Sequence, residues 1–136
     1  MSYESNIAAT AHFFAGEDKL LSYEVFAAGS TTVMENTAGF SLQWDLRTVQ
    51  DGVDPLRGQG AVVLTKNSAI SGGITITGVF NAIRGTNTQR VIVTIADTDT
   101  ESLVGGRYVC ALKRMDAGLE AVLSHGVVEL LVAAVR

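Results

Sequence analysis

The chain is short of the residues that build most reactive or covalently braced sites. It has one cysteine, Cys110, among 136 residues. No disulfide can close within it, and a tetrahedral zinc site would need three further ligands. Its two histidines, His12 and His125, stand far apart in sequence. Charge is scarce at 18 %, against about 25 % in ordinary soluble domains. The net charge of −4 contains no run of one sign, whereas a nucleic-acid footprint needs clustered Lys and Arg. No apolar run reaches the roughly 18 residues of a membrane-spanning helix. The opening MSYESNIAATAHFF lacks the basic stretch and apolar core of a secretory signal. The expectation is therefore a protein made in a cytoplasm, with no membrane and no nucleic acid among its partners. A surface this poor in charge also fits partial cover by another subunit, a possible homo-oligomer among the choices.

What the chain does have is strand-length alternation between turn signals, and its length suits one domain. Residues 40–47, FSLQWDLR, put Phe40, Leu42, Trp44 and Leu46 on one face and Ser41, Gln43, Asp45 and Arg47 on the other. Residues 19–27 alternate with Leu21, Tyr23 and Val25 inward. Further strands are expected at 61–66, at 74–80 and at 89–96, QRVIVTIA, the strongest strand in the chain by propensity. Residues 50–60, with three glycines and the only proline, Pro55, read as a loop. At 97–104, DTDTESLV, the pattern predicts one helical turn capped by Asp97, Thr98 or Asp99, with Glu101 in capping-box position to Thr98.

After Gly105 and Gly106 a strand is expected from Tyr108 to Met115, then a turn at Asp116-Ala117-Gly118 and a return strand from Leu119 to Leu131. Gly126 marks an expected bulge in that last strand. Its apolar run EAVLSHGVVELLVAAV also permits a helix, but the β-branched residues and the preceding hairpin signal favour strand. Short strands at regular spacing with almost no helix give an all-β fold. A Trp on an inner strand, and a Tyr at a strand start two residues before a Cys, are signals of an immunoglobulin-like antiparallel β-sandwich. The expected core includes Phe40, Leu42, Trp44, Val91, Val93, Tyr108, Cys110 and Leu112. The Tyr108 hydroxyl is expected to tie the corner before its strand. Residues 1–15 read as an N-terminal arm and residues 16–136 as the domain. Ile7, Phe13 and Phe14 make the arm apolar enough to pair with a sheet edge, its own or a neighbour's.

No residue group supplies a reaction. Asp97, Asp99 and Glu101 are spaced like calcium ligands, but an EF-hand loop begun at Asp97 puts Ser102 at position 6 and Tyr108 at position 12, where Gly and Glu belong. Ser124 and His125 are adjacent, so on a strand they point to opposite faces, whereas a nucleophile needs its base within reach. Gly72-Gly73 and Gly105-Gly106 lack the Lys and Ser/Thr of a phosphate loop. Cys110 shares the inward face with Tyr108 and is expected to act as a small hydrophobe. The reading is non-enzymatic, with no metal and no cofactor.

The order of segments resembles a known family. GEDKLLSYEVF is followed by the FSLQWDLR strand and an ITITG strand. VIVTIADTDTESLVGGRYVCALKR then leads to a closing hairpin. This is similar to the Ig-like domains of tailed-phage virion proteins, in particular the N-terminal domain of baseplate upper proteins. The carrying motif is the corner Ala96-Asp97-Thr98 through Leu103, Gly106 and Tyr108, with the turn at Asp116 to Gly118. The resemblance implies a non-catalytic virion structural protein, assembled in the host cytoplasm, whose partners are other virion proteins of capsid or tail. A chain of one domain points first to a capsid decoration or accessory protein. A tail or baseplate module, or a carbohydrate- or receptor-binding module, is the alternative.

Overall fold

Alternation of apolar and polar side chains becomes two sheets. The computed structural model describes residues 10–14, 16, 18–30, 32–49 and 60–131. Among them are β1 (Thr10–Phe14), β2 (Lys19–Tyr23), β3 (Leu42–Thr48), β4 (Val62–Asn67), β5 (Ile74–Thr77), β6 (Arg90–Ile95), the helical turn α1 (Asp97–Thr100), β7 (Gly106–Arg114) and β8 (Ala121–Leu131). Five strands form one sheet in the order β1-β8-β7-β3-β4, and three form the other in the order β2-β6-β5. The fold is an all-β sandwich.

The core lies between the sheets. β6 contributes Val91, Val93 and Ile95, β3 contributes Leu42, Trp44 and Leu46, and β7 contributes Tyr108, Cys110 and Leu112, all buried. Each fully buried aliphatic side chain is worth about 1.5–3 kcal/mol relative to exposure. A one-residue slip would turn a whole set to water, so burial fixes the register, with Trp44 opposite Leu112 and Lys66 and with Val93 opposite Leu21 and Ile74.

Three local features differ from the sequence expectation. First, β1 pairs with β8 in parallel, Thr10 opposite Val127 and Phe14 opposite Leu131, so the larger sheet is mixed and not purely antiparallel. Residues 10–14, within the span read as an arm, pair with the chain's own sheet, one of the two pairings expected of them; the parallel direction is what was not expected. Ile7 lies outside the described residues, as does most of the expected 50–60 loop. Second, the bulge in β8 falls at Leu123, not Gly126. Leu112 faces Ser124 and Lys113 faces Val122, while Gly126 sits in regular register with Cys110. The extra residue lets consecutive Leu123 and Ser124 both be buried.

Third, α1 is capped differently. Its N-cap is Ala96, and the Asp99 carboxylate accepts the Ala96 N–H at 2.7 Å. Asp18 accepts the Asp97 N–H at 2.8 Å from across the fold. The acid of the capping box is Asp99 and not Glu101.

Candidate functional site

Outside the sheets, a buried polar network joins the β2–β3 loop to the β5–β6 loop. Gln89 Oε1 accepts from the Thr37 N–H at 3.0 Å and from the Thr37 hydroxyl at 3.1 Å. Gln89 Nε2 donates to Asn36 Oδ1 at 3.1 Å. Buried amides left unpaired would be costly, so these contacts hold both loops in one arrangement. Glu24 pairs with Arg84 and Arg90 at 3.0 and 3.1 Å, and Arg84 also lies over the Phe26 ring.

Of the residues singled out from the sequence, Trp44, Tyr108 and Cys110 are buried in the core between the sheets. Trp44 is fully buried, and its indole Nε1–H donates to the Tyr23 hydroxyl at 2.9 Å. Tyr23 is on the smaller sheet and Trp44 on the larger, so this bond crosses the sandwich. Burial, then the neighbouring Cys110, push the Tyr23 phenol well above its ordinary pKa. Burial likewise pushes the Cys110 thiol up, and a thiol held protonated is a poor nucleophile. Tyr23, Trp44 and Cys110 thus form a neutral polar seam through an apolar core.

Tyr108 sits at the start of β7, and its hydroxyl donates to the Val104 carbonyl at 2.5 Å. That bond fastens the chain between α1 and β7. Tyr108→Phe removes it and leaves the ring packing intact. The expected loss is about 0.5–1.5 kcal/mol, read as a lower urea midpoint with unchanged slope.

Asp97 and Asp99 serve the helical turn. Lys66 Nζ lies 2.7 Å from Asp99 Oδ2. Burial raises the Asp99 carboxyl, but Lys66 and the Ala96 N–H outweigh it and hold it below the usual carboxylate range. Among the described residues no group of three or more His, Cys, Asp and Glu is placed to hold a metal ion.

Asp45 is the residue that sequence reasoning missed. Its outward direction on β3 was legible, yet it is only 1 % exposed. Lys113 Nζ from β7 donates to Oδ2 at 2.9 Å, and Gln43 Nε2 donates to Oδ1 at 2.9 Å. Thr65 on β4 reaches Oδ1 at 3.4 Å, and Arg47 stands 3.5 Å from Oδ2. Burial alone would raise this carboxyl. The bonds from Lys113 and Gln43, with the charges of Lys113 and Arg47, hold it below its usual range instead. The arrangement is a satisfied ion cluster that locks three strands together. The only sequence signal was Gln43 and Arg47 flanking it on the same face. Compared with protein-family models and with curated proteins, the chain matches none.

Proposed function

We propose that the sandwich is immunoglobulin-like and that the protein is a non-catalytic structural component of a tailed-phage virion, a decoration or accessory protein of the head. The topology supports the first half. With strands lettered in immunoglobulin fashion, β2, β6 and β5 take the places of B, E and D, while β8, β7, β3 and β4 take those of G, F, C and C′. Tyr23 and Cys110 then stand on strands B and F, where antibody domains carry their disulfide, with Trp44 on strand C beside them.

The single observation that carries the functional half is the Tyr108 bond to Val104. It closes the corner, Ala96 through Tyr108, on which the resemblance to virion modules rests. A fold does not assign a role by itself. The role follows from that resemblance together with side chains committed to packing and capping. Such a module acts by protein–protein contact, and many weak contacts on a repeated lattice add through multivalency.

The test is reconstitution. Purified protein is mixed with phage heads that lack it, and the particles are imaged. Binding at regular sites on a preformed shell, with a gain in thermal resistance, is the expected result. Binding at the tail tip alone would move the protein to the baseplate. Binding to no particle, with selective capture on a glycan array, would overturn the structural reading.

A further inference from the structure

β1 is joined to the rest of the protein along one side only. It stands at the end of the larger sheet, on β8, with Thr10 opposite Val127 and Phe14 opposite Leu131. Its contacts with the other strands are slight at most. The pairing is parallel, a little weaker per residue than antiparallel pairing. A terminal strand of five residues held in this way opens at a small part of the global unfolding free energy.

The chain that follows β1 is fastened independently of it. The Gly16 N–H donates to the Thr100 hydroxyl at 2.9 Å, and Thr100 is fully buried. Asp18 Oδ1 accepts the Asp97 N–H at 2.8 Å, and β2 then begins in register with β6. The domain therefore keeps this strap when β1 leaves. Gly16, with φ of 81°, a conformation glycine adopts without strain, stands where the departing strand would turn.

Release of β1 uncovers one side of β8 from Val127 to Leu131, a stretch in which Val128 and Leu130 are buried. An unpaired apolar edge is a template for another strand. The segment that fits this edge is seen seated on it, in a defined register, and every copy of the chain carries it. We propose that β1 is an exchangeable strand, donated reciprocally by two copies so that each β1 lies on the other copy's β8 in the register of the closed monomer. The exchange is isologous and closes at two copies. Each bond made between copies replaces one given up within a copy, so the net gain is small. The chain's own β1 competes through a short tether, at an effective concentration of about millimolar. Free copies therefore exchange only near that concentration. Copies held side by side in an array reach it locally, and are linked there without any new contact surface.

This inference does not rest on the virion reading, and its test uses the isolated full chain. Sedimentation equilibrium up to about 1 mM is expected to show dimer only toward the upper end. Disulfides then identify the contact. His12 stands opposite Glu129, at a strand spacing that a disulfide spans, and Cys110 is buried out of reach. Chains with His12→Cys and chains with Glu129→Cys are mixed at about 1 mM and oxidised. A covalent dimer of one of each is expected, about tenfold over the dimer that either chain gives alone. A chain carrying both substitutions, oxidised while dilute, closes on itself. It is expected to stay monomeric where the wild type dimerises, and reduction is expected to restore its dimer. Far-ultraviolet circular dichroism and Trp44 fluorescence check that each variant is folded. A wild-type chain that stays monomeric at about 1 mM overturns the proposal whatever the variants do. So does a mixture with no excess of the covalent pair, and so does a closed chain that dimerises like the wild type.

Discussion

Trp44→Ala is expected to lower the unfolding free energy by about 3–5 kcal/mol. That is a large share of the about 5–15 kcal/mol available to a domain. The size follows from full burial of the indole at the centre of β3. It also follows from the loss of the bond from Nε1–H to Tyr23, which leaves a phenol hydroxyl in the core without its donor. Since Trp44 is the only tryptophan, the variant is followed by circular dichroism in urea, and the wild type by fluorescence as well. Tyr23→Phe isolates the polar part. It strands the indole N–H and is expected to cost about 1–3 kcal/mol. In a double-mutant cycle with Trp44→Phe the two losses should fall short of additivity, because both delete the same bond. A Trp44→Ala loss under about 1 kcal/mol would mean that the indole does not tie the sheets together.

How much of this was legible in the sequence depended on whether a feature is decided locally. β3 and β6 could be placed from alternation, because burial on one face dictates period two, and Trp44, Val91 and Val93 follow from it. The corner at 96–108 was legible because its parts lie within a dozen residues of one another. Features set by a distant partner were not. The bulge at Leu123 arises from how β8 meets β7, and the stretch VLSHGVV offers apolar residues in both phases, so Gly126 was the obvious but wrong marker. The cap of α1 comes partly from Asp18, 79 residues away. The parallel pairing of β1 with β8 joins opposite ends of the described chain. The burial of Asp45 has the same origin, since Thr65 and Lys113 converge on it from β4 and β7.

Lys113→Met should show how the Asp45 cluster holds the larger sheet. Methionine keeps most of the stem volume and removes the donor 2.9 Å from Asp45 Oδ2. At neutral pH the expected loss is about 1.5–3 kcal/mol, the range for a hydrogen bond to a charged group, with Gln43, Thr65 and the Arg47 charge left to moderate it. The pH dependence gives the decisive sign. In the wild type Asp45 is held below its unfolded value of about 3.9. Its contribution is therefore fully present above that value and is lost as the pH falls through the folded pKa. Asp99 and Asp116, also held low, steepen the same acid limb. In Lys113→Met the opposing bond is gone and burial draws the Asp45 carboxyl upward. The variant's deficit should then shrink as acid neutralises the carboxylate. Urea midpoints of the two proteins, measured from about pH 7 to about pH 3, are expected to converge. A deficit that stays constant across that range would assign the loss to packing of the Lys113 stem, and the charge cluster would have no part in holding β3 to β7.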